Sequence, residues 1–281
     1  MRTKYVFSTI SRPVIIEWLE ANKIDYYLDG GGIVRVFVNF TLWSSDPYID
    51  KYLEELAEIN VAHPSISSEC TNAELLRANY LMICPKKQWI SIVNQEDAYR
   101  YTCQWTTQVV GWRKANHEEQ IDCFQIAKEP SIKTSTAFWH EDTGFAELFT
   151  DKRVHDLVIK SNISGVMFKS VYLKNGDCSK NIFQMSAANL IKSEQIQLGH
   201  GEKVQHCQFC GKEQYFIRSN YQLHLYIEEL PSNQDFFATD RIWGEGRAYP
   251  VYVISQRFYR LLKEHKLAGN IFFVPVVEVS C

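Results

Sequence analysis

The residues best placed to do chemistry are Cys207 and Cys210, in the run Cys207-Gln208-Phe209-Cys210-Gly211. Two thiols at this spacing can share one zinc ion in a tight knuckle, and the glycine lets the backbone close around it. One such pair supplies only half of a structural zinc's tetrahedral ligand set. His200, His206, His224, Cys178 and Cys281 are the candidate partners, and none stands at a diagnostic spacing. Three readings stay open: a hairpin knuckle without metal, one structural zinc on Cys207 and Cys210, and a redox pair. The last is disfavoured because KEQYFIRS, a strand pattern, follows where a thioredoxin-like site has a helix.

Elsewhere catalytic signals are absent. The eight histidines form no H-E-x-x-H motif. His117-Glu118-Glu119 and His140-Glu141-Asp142 set acid beside imidazole, but neighbours in sequence do not share a helix or strand face. There is no G-x-S-x-G elbow and no phosphate loop. Gly30-Gly31-Gly32 precede a strand instead of following one, so they read as a loop or hairpin, not a nucleotide site. The expectation is a non-enzyme without a cofactor; the alternatives are an enzyme whose site assembles only in space and a zinc-stabilised scaffold or adaptor.

Aromatic residues are abundant, with 16 Phe, 15 Tyr and 7 Trp. Trp43, Tyr48, Tyr99, Tyr101, Trp105, Trp112 and Trp243 fall in loop-like contexts, where they would serve as interface anchors. Asp46, Asp50, Asp97, Glu118, Glu119 and Glu245 lie near them and would complement a basic cleft. The competing reading places these aromatics over a small sheet as core.

The elements that must position these residues are marked most clearly at the end of the chain. Ser255 to Val279 reads as a capped helix, a glycine and an apolar strand: Ser255 the cap, Phe258, Leu261 and Leu262 the stripe, Gly269 the stop. Pro275 marks that strand as an edge or a bulge. An offset of 104 residues lays Asp151 on Ser255, Leu157 and Val158 on Leu261 and Leu262, Gly165 on Gly269, and Phe168 on Phe272. The match predicts two helix–Gly–strand units with equivalent core positions. Earlier in the chain, Pro13 opens a helix, Asp46-Pro47 caps another, and Thr71 with Glu74 forms a capping box. Tyr80–Cys84 and Trp89–Val93 read as a hairpin about Pro85.

Composition bounds the rest. With 46% hydrophobic and 22% charged residues over 281 positions, the chain has ample core for two domains. Thirty basic against 33 acidic residues leave −3, so direct nucleic-acid binding has no electrostatic support. The eight cysteines, the opening MRTKYVFSTISRP without a secretory run, and the lack of an apolar span predict a reducing, cytoplasmic setting away from membranes. The fold class expected is α+β: two lobes, 1–130 and 131–281, of mainly antiparallel or mixed sheet with packed helices, divided near Lys128–Thr136. The second lobe holds both helix–Gly–strand units and the single knuckle.

The knuckle, Asp235-Phe236-Phe237 and the close of the chain resemble the double-CXXCG motif proteins and related immunity proteins of bacterial polymorphic toxin systems. The carrying residues are Ser255, Leu267-Ala268-Gly269 and Phe273-Val274-Pro275-Val276, with Gly165-Val166-Met167-Phe168 for the earlier unit. The likeness covers roughly the second half of the chain, and the family's second knuckle is missing. It implies a cytoplasmic protein that binds and neutralises a cognate toxin domain, with no catalysis of its own.

Overall fold

A computed structural model describes residues 2–29, 36–61, 65–86, 89–101, 118–141, 147–192, 195–197, 203–206, 213–216, 223–226, 228, 230, 233–239 and 250–279. The class is α+β, with mixed and antiparallel sheets. The described residues divide into two compact units, 2–74 and 75–279.

The first unit runs β1 (Arg2–Ile10), α1 (Pro13–Ala21), β2 (Tyr26–Asp29), β3 (Phe37–Trp43), α2 (Ile49–Glu58) and β4 (Ser65–Glu69). Its strands pair antiparallel in the order β2-β3-β1-β4. That is the split βαβ arrangement of ferredoxin-like domains. Strand alternation puts Tyr5, Phe7, Val38, Phe40 and Leu42 on the face that meets Ile15, Leu19, Ile49, Tyr52 and Leu56 of the helices. Both helices stop the same way. Lys23 (φ 56) and Asn60 (φ 55) turn left-handed, and the amides of Ile24 and Val61 reach back to Leu19 O and Leu56 O. The Arg12 guanidinium then donates to Ile59 O (2.6 Å) and Asn60 O (3.0 Å), satisfying carbonyls that the end of α2 leaves unpaired.

The division between units falls inside α3 (Asn72–Arg77), whose capping box is reciprocal: Glu74 N donates to Thr71 Oγ1 and Thr71 N to Glu74 Oε2. The second unit continues with β5 (Tyr80–Pro85), β6 (Trp89–Ile90), α4 (Gln95–Ala98), β7 (Tyr99–Tyr101), β8 (Glu118–Gln120), β9 (Gln125–Ile126), β10 (Phe138–Glu141), β11 (Leu148–Asp151), α5 (Lys152–Lys160), β12 (Val166–Leu173) and β13 (Cys178–Ala187). It closes with β14 (Leu190–Ile191), β15 (Lys203–His206), β16 (Glu213–Phe216), β17 (His224–Tyr226), β18 (Phe236–Thr239), β19 (Tyr252–Ser255), α6 (Gln256–Glu264), β20 (Ile271–Pro275) and β21 (Val277–Val279). Two sheets dominate, β6-β10-β11-β13-β12-β9 and β14-β18-β19-β5-β20. Val154, Leu157 and Val158 of α5 and Phe258, Tyr259 and Leu262 of α6 share one core with both sheets.

The helix–Gly–strand units are equivalent in more than sequence. Helices α5 and α6 occupy matching positions at the 104-residue offset, as do the strands before them, β11 and β19. Asp151 caps the amides of Arg153 and Val154, and Ser255 caps that of Phe258. Asn162 (φ 49) and Lys266 (φ 58) make the same left-handed stop, with Ile163 and Leu267 folded back onto Val158 O and Leu262 O. In each unit an antiparallel strand sits between the two that flank the helix. In the first it is the next strand, β13; in the second it is β5, from far earlier in the chain. The helix ends cross-brace: Arg257, in the first turn of α6, donates to Ser161 O and Asn162 O at the end of α5. Ser255→Ala should cost about 1 kcal/mol, the usual worth of an N-cap, measured by urea unfolding. Its hydroxyl also donates to buried Asp235 (2.7 Å), so Ser255→Asp should fare worse than at an ordinary cap, by placing two carboxylates together.

The glycine stop expected after each helix is not used: Lys266 and Asn162 end the helices, and Gly269 is not left-handed. Four further expectations change. The boundary at 128–136 is overturned, because β5, β6 and β9 pair with β19, β20, β10 and β12 across it. The pairs Tyr80–Cys84 and Trp89–Val93 form no hairpin: Lys86 N bonds Asn270 O, and β5 goes to one sheet while β6 goes to the other. Asp46 is not the helix cap. The helix begins at Ile49, and the Asp46 carboxylate instead takes the Tyr48 amide at 2.9 Å. Leu157, Val158 and Leu262 are buried and Leu261 is half-buried, as the repeat requires, but Phe272 is 58% exposed. The strand of the second unit is slipped by one residue, so Ile271 and Phe273, not Phe272, face the core beside Val166 and Phe168. A one-residue slip exchanges the faces of a strand. The expected edge position of the Pro275 strand holds: β20 ends its sheet.

Candidate functional site

Two of the anchor candidates, Trp43 and Tyr48, come together with the acidic candidate Asp46 in the first unit. The chain leaves β3 at Trp43 and turns into α2 through bonds from Asp46 N to Trp43 O (2.9 Å) and from Ile49 N to Asp46 O (3.2 Å). With the Asp46 side chain holding the Tyr48 amide, the turn is fixed at several points. Trp43 lies under the Lys4 ammonium, 5.6 Å from the ring centroid. Tyr48 is 60% exposed, its ring 6.1 Å from that of Tyr52. Tyr52 in turn meets Trp18 edge-on at 5.5 Å, and the Trp18 indole donates to Glu55 (2.9 Å). That bond, with help from Lys51, holds the Glu55 carboxyl below its ordinary value. The outer tyrosine therefore stands on a packed aromatic base. The surrounding unit is acidic: residues 1–74 hold eleven Asp and Glu against six Lys and Arg, and Asp50 follows Tyr48 closely in the first turn of α2.

Tyr99 is not an anchor. It is 6% exposed, packed on Phe124, and its hydroxyl donates to Glu147 at 3.2 Å. Glu147 is 8% exposed and also accepts from Gln184 Nε2 (3.0 Å). Gln184 and Gln120 exchange amide bonds at 2.8 and 2.9 Å, and Lys169 donates to Gln120 (3.1 Å). Sequence reasoning missed this polar network entirely; its one signal is a glutamine inside an otherwise apolar stretch of β13. It satisfies a buried carboxylate and ties β8 and β11 to β13 and β12, a structural service. Tyr101, Glu118 and Glu119 sit in the antiparallel pair β7–β8, with Tyr101 opposite Glu118. Cys207, Cys210, Trp105, Trp112, Trp243 and Glu245 lie outside the described residues.

A second constellation was not selected from sequence. Cys84 on β5 places its Sγ 3.8 Å from Nε2 of His140 on β10. The Trp89 ring lies 6.1 Å from the imidazole. Burial pushes His140 down to about 4, offset only in part by the Glu147 backbone, and burial pushes the Cys84 thiol up. At neutral pH the pair is thus a thiol beside a neutral imidazole, not the thiolate–imidazolium pair of a cysteine nucleophile. Among the described residues, no three His, Cys, Asp or Glu side chains gather to hold a metal. No helix among them is long and apolar enough to cross a membrane.

No family model, curated protein or solved structure matches this chain.

Proposed function

We propose that this protein is an immunity protein of a bacterial polymorphic toxin system, acting in the cytoplasm. It binds a cognate toxin domain and neutralises it by covering its cleft or its target-binding face. The observation that carries the reading is the Trp43–Tyr48 turn: an exposed tyrosine, held rigid by backbone bonds and backed by Tyr52 and Trp18, on an acidic unit. A preorganised aromatic loses little freedom on docking, which is the property of interface hot spots. Acidic surroundings favour encounter with a basic cleft, such as one that handles nucleic acid or a nucleotide.

Co-expression with the toxin domain encoded beside it, followed by mixing of the purified pair, tests the proposal. A one-to-one complex that abolishes toxin activity is expected. Tyr48→Ala should weaken it about tenfold or more. Tyr27→Ala, at an equally exposed tyrosine on β2, should leave it unchanged. Rescue without measurable binding would defeat the blocking mechanism, and equal losses from both tyrosines would remove the turn from it.

A further inference from the structure

We propose that the outer edge of β2 binds an extended basic segment of another protein, which adds a strand to the sheet of the first unit. The direction of the backbone comes first. Ser11 N bonds Val36 O in the β1–β3 register, so the even-numbered residues of β3 exchange their bonds with β1. The odd-numbered residues Phe37 and Asn39 then bond toward β2, where Asp29 and Tyr27 stand opposite them. Tyr26 and Leu28 therefore turn both N–H and C=O away from β3, on a strand that ends its sheet. Backbone groups so placed are a template for another strand. Exposure agrees: Tyr27 is 65% exposed and Leu28 55%, on opposite faces of the edge. Charge selects the occupant. Asp25 and Asp29 lie two residues either side of Tyr27, at the spacing that shares its face, and both are exposed. Glu20, which accepts from the Tyr26 hydroxyl at 3.2 Å, marks the other face. An incoming strand with Lys or Arg at alternate positions sets cations against Asp25 and Asp29, about 13 Å apart along the edge. A second copy would bring its own Asp25 and Asp29 to the same place, where like charges repel. In such pairings main-chain bonds supply affinity and alternate side chains supply specificity. The proposal does not depend on the toxin-binding reading.

The probe is a short capped peptide alternating lysine and valine, added to the intact protein, with amide hydrogen exchange read residue by residue. At saturating peptide, exchange at Tyr26 and Leu28 should slow about tenfold or more, while Tyr27 and Asp29, whose amides already face β3, should change little. The matching glutamate–valine peptide should not bind. Asp25→Asn combined with Asp29→Asn should weaken the lysine peptide about tenfold. Leu28→Pro should abolish binding and spare the ladder to β3, because the amide it removes points outward. The exchange pattern of the unmutated protein keeps the test decisive if that variant folds poorly. Absent or uniform slowing across the four residues, equal binding of the acidic peptide, or undiminished binding by either variant would each overturn the proposal. Slowing at Tyr26 and Leu28 that rises with protein concentration alone would assign the edge to a second copy and overturn it as well.

Discussion

Gly165→Ala should destabilise the second unit by roughly 3 kcal/mol or more, far beyond an ordinary glycine substitution. Gly165 stands at φ +83, where a side chain is already unfavourable. A Cβ there would meet Phe236 O at 2.3 Å and Gln234 Nε2 at 2.6 Å. The carbonyl belongs to β18, where Phe236 is paired with Ile254 of β19 and the strand is held on its other side at Ala238 and Thr239 by β14, so it has little room to step back. Gln234 is itself buried and has little room to retreat. Gly176→Ala is the internal control. It has nearly the same dihedral, φ +89, and nothing within 4 Å of its Cβ, so only the conformational penalty of about 1 kcal/mol applies. Urea unfolding of both variants separates the two causes. Equal losses would mean that the close approach to β18 carries no energy.

Acidification should remove up to about 3 kcal/mol of stability through His140 alone, since each tenfold loss of proton affinity on folding is worth about 1.4 kcal/mol. Its pKa is depressed in the folded protein, from 6.5 to about 4, chiefly by burial. The unfolded chain therefore binds a proton that the folded one refuses between those values. Stability is fully present above pH 6.5, falls as pH drops through the window, and is lost below about 4. Carboxylates titrate over part of the same range, so the comparison is with His140→Gln, whose stability should fall less steeply from pH 7 to 4. Parallel curves for the two proteins would show that the imidazole is not held neutral by the fold.

What could be read from the sequence was local. The capping box at Thr71 and Glu74, the caps Asp151 and Ser255, and the equivalence of α5 and α6 each depend on residues a few positions apart. Strand partners do not. Nothing in Tyr80–Pro85 announces that its neighbours are Tyr252–Ser255 and Ile271–Pro275, and Pro85 suggested a hairpin instead. The Phe272 expectation failed for a smaller reason. The spacing from helix to strand is one residue longer in the second unit, and sequence alignment at fixed offset does not see a face exchange. For the sites, Trp43, Asp46 and Tyr48 were legible because a single turn gathers them. Tyr99 looked like a loop aromatic, yet a tyrosine can be buried once its hydroxyl finds a partner, and Glu147 is that partner. Cys84 and His140 stand 56 residues apart, and no spacing rule joins them.

The placement of β5 between β19 and β20 sets an order of events as the chain leaves the ribosome. The first helix–Gly–strand unit can close with strands that emerge together, β11, β12 and β13. The second cannot close from its own stretch of chain, because its middle strand was made long before, ahead of the entire first unit. Until β19 and β20 arrive, β5 has neither of its native neighbours, and its apolar residues Leu81 and Ile83 lack the phenylalanine and leucine of α6 that cover them. Pairings of such sequence separation are slow to form, because the intervening loop must be closed before the contacts reward it. The interval in which β5 stands unpaired is when this protein is most exposed to aggregation, and a chaperone or a slowed elongation rate would act there.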